Sequence, residues 1–445
     1  MIQSQDLKMR EGYFNKLKAF MNTQSVKVIT GIRRCGKSSL LKLMVRYLAE
    51  HGTSQQQIIE MNFESLEFSQ MDFMTLYHHV KSKVVPTKRM YLFFDEIQRI
   101  EQWQDAVNSF RVDFDCDIYI TGSNSYLLSS EFSTYLSGRY VEIKMLPLSF
   151  IEFLDFHDFT LQNYNNPSGI LKYRVRDKSG ELHEIQEVLD AYIRFGGMPT
   201  LAEVGLVQEN ALTLLEGIFS TVVMRDILER EKRRGKRQIT DSFLLRKVCL
   251  FLADNIGNNT SISSIGNMLV TEKVLDEGPH KKSPAVNTVK AYVEALVESF
   301  MFYEIKRFDI KGREYLKTLG KYYIVDSGLR NFLLGFNGLD TGHMLENIVY
   351  LDLLRRGYDV AVGKIDNIEI DFVATKGAKT LYIQVTQSMA DERTREREIK
   401  PLKLLKNGHI KMIIAREALP NQFLDGFPVI GLAEWLLTKE DSPTL

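Results

Sequence analysis

Eight residues, Gly31-Ile32-Arg33-Arg34-Cys35-Gly36-Lys37-Ser38, constrain the fold more than any other stretch. They follow a β-branched run, "SVKVIT", and lead into a helical pattern, "SSLLKLM". They match G-x-x-x-x-G-K-S at every fixed position. Gly31 and Gly36 permit the backbone angles that turn successive N–H groups inward as an anion nest. A helix starting near Lys37 adds its positive N-terminal end. Lys37 reaches the β- and γ-phosphates of a nucleotide, and the Ser38 hydroxyl ligates magnesium. The nucleotide-contacting set is therefore Gly31, Arg33, Arg34, Cys35, Gly36, Lys37, Ser38 and Ser39, with ATP and Mg2+ as the expected ligands.

A second element completes the site. "RMYLFFDEIQ" holds an apolar run, Tyr91 to Phe94, followed by Asp95 and Glu96. Continuous apolarity suits a parallel strand buried on both faces. Asp95 at its end would hold magnesium through water, and Glu96 would polarise the attacking water. A third strand, "DCDIYITGSNS", ends in Thr121-Gly122-Ser123-Asn124. A polar side chain there could orient water or contact the γ-phosphate. Arg139, in "LSGRY", is a candidate arginine finger or a plain surface arginine, and the residues alone leave both open.

Composition narrows the remainder. A chain of 445 residues suggests two to four domains. Lys+Arg and Asp+Glu both number 57, so the net charge is zero. Any surface for nucleic acid must then be local. Three scattered cysteines fit reduced thiols and a cytoplasmic setting. The amino-terminal stretch has no apolar core of a signal peptide. No apolar run approaches the ~18 residues of a membrane span, so no membrane association is expected.

The carboxy-terminal part reads as a second chemistry. Glu346 lies on a helix, "HMLENIVYLDLLRR", and Asp371 ends the apolar stretch of "EIDF". One strand later, "LYIQVTQS" carries Gln384 and Thr386. This is the layout of a nuclease metal site with two positions changed. Gln384 offers one neutral oxygen, and Thr386 cannot carry positive charge. A hard cation favours carboxylates, so a non-cleaving tail is expected. Lys376 or Lys379, in the intervening turn, is the candidate for a migrated lysine.

"GIRRCGKSSLL", "LFFDEIQ", "ITGSN", "LSGRY…LPLSFIEF", "RFGGMP" and "VVMRDILER" together resemble the AAA-type ATPase family of bacteria and archaea that carries a C-terminal domain of unknown function. The resemblance covers nearly the whole chain. It implies an α/β P-loop NTPase core (1–155), a helical lid with a polar hairpin insertion (156–238), a winged helix-turn-helix (239–336) and a restriction-endonuclease-like α/β tail (337–445). It also implies that Asn124 acts as sensor and Arg139 as finger. The basic cluster Arg230, Lys232, Arg233, Arg234, Lys236 and Arg237 is either a solvated linker or a phosphate-contacting stripe. The winged helix offers Asn287 and Lys290 to DNA, or docks a protein. The expected activity is ATP hydrolysis used as a switch or motor, with an arginine finger supplied by a neighbouring copy. An ATP-regulated nuclease and an ATP-holding scaffold are the alternatives.

Overall fold

The computed structural model describes residues 7–128, 138–165, 171–228, 239, 241–271, 286–336, 341–419 and 422–438. The chain forms two compact units. The first is Met1–Leu146 with Glu298–Phe300, and the second is Pro147–Val297 with Met301–Leu445. The first unit ends at Leu146, short of the expected 155, because helix Phe150–Phe156 belongs to the second unit.

In the first unit, strands β1 (Val26–Thr30), β2 (Ile58–Asn62), β3 (Met90–Asp95), β4 (Cys116–Gly122) and β5 (Tyr140–Lys144) form one parallel sheet in the order β2-β3-β4-β1-β5. β1 and β3 are buried along their whole length, as strands covered on both faces must be. Leu92, Phe94, Trp103 and Phe110 fill the space between the sheet and helix Trp103–Asp113. One charged pair sits inside this core. Lys27 of β1 pairs with Asp117 of β4, both side chains fully buried, and Asp117 also accepts from Tyr119 Oη at 2.8 Å and Asn22 N at 2.7 Å. A parallel sheet places ligands at the carboxyl ends of its strands. Those ends are where β1 runs into the glycine loop and β3 delivers Asp95.

The second unit begins with helix Phe150–Phe156, started by a capping box in which Ser149 and Glu152 each bond the other's backbone N–H. A three-stranded antiparallel sheet follows, β6 (Thr160–Asn165), β7 (Leu171–Arg176) and β8 (Leu182–Glu184). The β7–β8 hairpin around Ser179-Gly180 matches the expected polar insertion, with β6 added to it. Helices Ile185–Phe195, Leu201–Val204 and Gln208–Phe219 come next, the last running into a π-helical segment, Ser220–Ile227. The basic cluster 230–237 lies outside the described residues.

Helices Ser242–Asp254, Ile262–Thr271 and Val286–Glu298 precede the hairpin of β9 (Phe302–Asp309) and β10 (Glu314–Ile324). The hairpin is not free-standing. β11 (Asp359–Ile365) pairs parallel with β9, so the hairpin opens an eight-stranded sheet. The remaining strands are β12 (Ile368–Lys376), β13 (Lys379–Thr386), β14 (Ile410–Ala415), β15 (Gln422–Leu424) and β16 (Phe427–Gly431), in the order β10-β9-β11-β12-β13-β14-β16-β15. The expected division at 336/337 thus separates residues that share a sheet. Helix Thr341–Arg355 packs on this sheet, and so does helix Glu392–Leu404. The hairpin turn is tied to the tail, with Lys311 Nζ 2.6 Å from Asp366 Oδ2.

Candidate functional site

The glycine loop takes the shape its sequence requires. Gly31 has φ +149°, and a Cβ there would meet the Met145 carbonyl oxygen at 2.1 Å. Gly36 caps helix Lys37–Glu50 with φ +103°. Arg34 also takes a positive φ, +65°. Lys37 is buried, and its ammonium donates to the carbonyls of Gly31 at 2.9 Å and Ile32 at 3.1 Å. It stands 4.0 Å from Glu96 Oε1. Cys35 is fully buried, with its Sγ packed against Gly31, and burial pushes its thiol pKa up, so it packs rather than reacts. Arg33 pairs with Glu64, which also accepts from Arg99 at 3.1 Å. Ser39 lies in the first turn of the helix.

Asp95 ends β3 beside the loop. It accepts from Thr121 Oγ1 at 2.5 Å and from Asn62 Nδ2 at 3.2 Å. Burial raises its pKa, and the Thr121 and Ser38 hydroxyls pull it back. The two expected magnesium ligands, Ser38 and Asp95, are therefore near enough for the hydroxyl to act on the carboxyl, and an oxygen-only pair of this kind suits a hard cation.

Glu96 is held in a conformation that most residues avoid, φ +56°. Such strain persists only where neighbours over-determine it. Its backbone N–H donates to Thr121 Oγ1 at 3.0 Å, and its Oε2 accepts from Ser123 Oγ at 3.0 Å and from Gln98 Nε2. Thr121 thus bridges both acids. The structure brings Gly31, Gly36, Lys37, Ser38, Asp95 and Glu96 together as the sequence suggests.

Asn124 and Arg139 make contacts of their own. Asn124 accepts from Leu127 N at 3.2 Å and so caps the turn Ser125–Leu128, while Ser123, one residue earlier, touches Glu96. Arg139 is exposed, just before β5, and its carbonyl accepts from Val26 N at 2.9 Å. Val26 opens β1, whereas the glycine loop follows the other end of that strand. At the usual strand rise the two ends are roughly 13 Å apart. Arg10 was not legible in the sequence. It donates to Cys35 O at 2.9 Å and Leu146 O at 2.8 Å, pinning the loop to the residues after β5. Asn62 and Gln98 were missed as well, since nothing in their neighbourhoods announces a contact across strands.

In the second unit, Glu346, Asp371, Gln384 and Thr386 line one cavity of about 940 Å³. Gln384 is used at both ends, accepting from Asp371 N at 2.9 Å and donating to Glu398 Oε2 at 2.9 Å. Asp371 Oδ2 accepts from Val385 N at 2.8 Å, and burial with Glu346 nearby pushes its carboxyl well above the ordinary range. Lys376 and Lys379 face each other at the far end of the β12–β13 hairpin, with Lys376 Nζ 5.5 Å from the Tyr358 ring. A different lysine enters the cavity: Lys321 of β10, 2.6 Å from Glu369 Oε1 and 3.6 Å from Glu346 Oε2. In the helical part, Asn287 and Lys290 are exposed, and Lys290 pairs along its own helix with Glu294 at 3.7 Å. None of the described helices is long and apolar enough to cross a membrane.

Residues 23–154 match the family described as AAA domain, and residues 186–340 match a domain of unknown function (DUF8612). The latter lies ahead of the tail, where the resemblance in sequence had placed its unknown domain at the C-terminus. An uncharacterized protein of Haemophilus influenzae is 39% identical over 433 residues, 96% of this chain and 98% of its own. An uncharacterized protein of Methanocaldococcus jannaschii is 31% identical over 384 residues, 84% of this chain and 77% of its own. Among solved structures, the Aeropyrum pernix ORC1 protein in complex with DNA is 12% identical with a TM-score of 0.33, covering 74% of this chain and 93% of that one. That likeness is too weak to bear on function.

Proposed function

The chain belongs to the family of AAA-domain proteins that includes these Haemophilus and Methanocaldococcus relatives, and from that premise we propose that it is a magnesium-dependent ATPase acting as a nucleotide-driven switch or motor. The observation that carries the reading is the bridge that Thr121 makes between Asp95 and Glu96, beside the Lys37 ammonium and at the end of the glycine loop that bears Ser38. Magnesium, held by Ser38 and Asp95, would neutralise phosphate charge. Lys37 would exchange its two loop carbonyls for phosphate oxygens, a stronger, charge-assisted partnership. Glu96, kept beside the loop by Ser123 and Gln98, would orient the attacking water and hold its proton. Asn124, in its place as cap of the following turn, would act through the position of that loop.

Arg139 is proposed as a finger acting on a neighbouring copy. Its place at the amino end of β5 supports this, since its side chain cannot span β1 to reach its own loop. DNA or a protein is the proposed partner of the winged-helix part, through Asn287 and the basic cluster 230–237. The tail is proposed as a restriction-endonuclease-like scaffold that does not cut. Its order of helix, three antiparallel strands, helix and parallel strand supports the likeness, and the engagement of Gln384 at both ends supports the inactivity. The reading is tested by titrating magnesium-ATP into the wild type and Lys37→Ala. Binding lost in the variant is expected. Tight binding retained there would remove the phosphate role of the loop.

A further inference from the structure

The tail cavity is lined by more acid than a nuclease-like sequence motif accounts for. Glu346 comes from helix Thr341–Arg355, Glu369 and Asp371 from β12, and Glu398 from helix Glu392–Leu404. Glu398 is spoken for by Gln384 and by Arg397 at 2.7 Å. Arg393, Arg397 and Lys400 of that helix line the cavity as well, and Glu346 and Glu369 take their counter-charge from another element.

Lys321 supplies it. Its side chain is buried, only 5% exposed, although it carries a charge. Burying an ammonium is costly unless carboxylates surround it. Here Glu369 lies at 2.6 Å and Glu346 at 3.6 Å. Each acid is fixed in turn: Glu369 accepts from Asn259 Nδ2 at 3.0 Å, Glu346 from Tyr323 Oη at 2.7 Å and Asp371 from Val385 N at 2.8 Å. Glu369 and Glu346 therefore converge on the ammonium, and each is held by a further hydrogen bond.

We infer that Lys321 is a built-in cation, whose ammonium takes the place between Glu369 and Glu346 that a divalent metal would need and so closes the cavity to magnesium. The inference rests on the reading of the tail as a nuclease-like scaffold. Magnesium requires carboxylate oxygens at about 2.1 Å in near-octahedral array. An ammonium and a dication cannot share the same carboxylates without direct repulsion. The oxygens are also not gathered for a metal. Among the described residues the one group of three His, Cys, Asp or Glu side chains close enough to share an ion is Asp177, Glu181 and His183, at the β7–β8 turn and not in this cavity. The lysine thus gives the acids their counter-charge permanently, and the scaffold no longer depends on metal for its local order.

Manganese is the probe, titrated into the nucleotide-free full-length chain and followed by electron paramagnetic resonance. The wild type is expected to show no saturable site that depends on Asp371. Lys321→Met keeps most of the stem and removes the charge, so it is expected to gain one site, with affinity rising by about tenfold or more. That gain is expected to vanish in Lys321→Met combined with Asp371→Asn. A wild-type manganese site that disappears in Asp371→Asn would overturn the inference, and so would a folded Lys321→Met chain that gains nothing. Should Lys321→Met fail to fold, the wild type and Asp371→Asn decide alone, identical titrations supporting the inference and a difference overturning it. Incubating the same wild-type sample with DNA and manganese separates the two readings. Cleavage abolished by Asp371→Asn would sink both the non-cutting tail and the lysine's exclusion of metal. Cleavage by the Lys321→Met chain alone would support the inference, with the lysine as what keeps the scaffold silent.

Discussion

Glu96 is the residue on which the proposed chemistry turns. Its positive φ and its bonds to Ser123 and Gln98 hold the carboxylate in one orientation. Replacing it by Gln keeps the shape and the Ser123 and Thr121 contacts but removes the base. Glu96→Gln is expected to bind ATP as the wild type does and to turn over about 10²–10⁴ times more slowly. Turnover within a factor of two of wild type would assign the water to another group. The acids themselves were legible in the sequence, because an apolar strand that ends in Asp-Glu downstream of a glycine loop brings the carboxylates to the loop lysine. Their supports were not. Arg10, Asn62 and Gln98 act across strands that only the fold brings together, and Ser123 reaches Glu96 from the end of β4.

At the scale of elements, "RFGGMP" has a structural reason. Gly197 N donates to Asp326 Oδ2 at 2.6 Å, and a Cβ on Gly196 would come within 2.3 Å of the same carboxylate. Asp326 also caps helix Ser327–Leu334, accepting from Leu329 N at 3.0 Å. Two helices, Ile185–Phe195 and Ser327–Leu334, are thereby joined through one buried acid. Burial lifts the Asp326 carboxyl to about 6, although its backbone donors pull the other way. The folded state therefore holds this proton more tightly than the unfolded chain, whose aspartates titrate near 4. The contribution is full below about pH 4 and is lost as pH rises through about 6, amounting to at most about 3 kcal/mol. Urea midpoints at pH 4, 5, 6 and 7 should fall across that window, and the fall should be smaller in Asp326→Asn. Equal slopes for the two chains would contradict the assignment. The hairpin β9–β10 shows the limit of pattern reading at this scale. Alternation and a Lys-Gly turn marked two strands, but no local signal says that β9 pairs in parallel with β11, so a hairpin and a tail that share a sheet were read as separate parts.

For the whole molecule, the account predicts an activity that depends on assembly. Arg139 opens β5 at the end of the sheet away from its own glycine loop. A finger supplied in trans supports turnover only where copies meet. Arg139→Ala and Lys37→Ala chains should each be nearly inactive alone, and mixing them should restore part of the turnover, since the Arg139→Ala copy keeps a sound loop and the Lys37→Ala copy a sound finger. No rescue on mixing, with both chains folded, would place the arginine outside the mechanism.

The central claim, that this chain hydrolyses ATP at the Lys37 loop in an assembled state, is tested most directly by phosphate release per chain across a wide range of protein concentration, at saturating magnesium-ATP. Release should rise with concentration to a plateau and be absent in Lys37→Ala at every concentration. Release no greater than that of Lys37→Ala, from wild-type protein that binds ATP tightly and is present at its highest concentration, would contradict it.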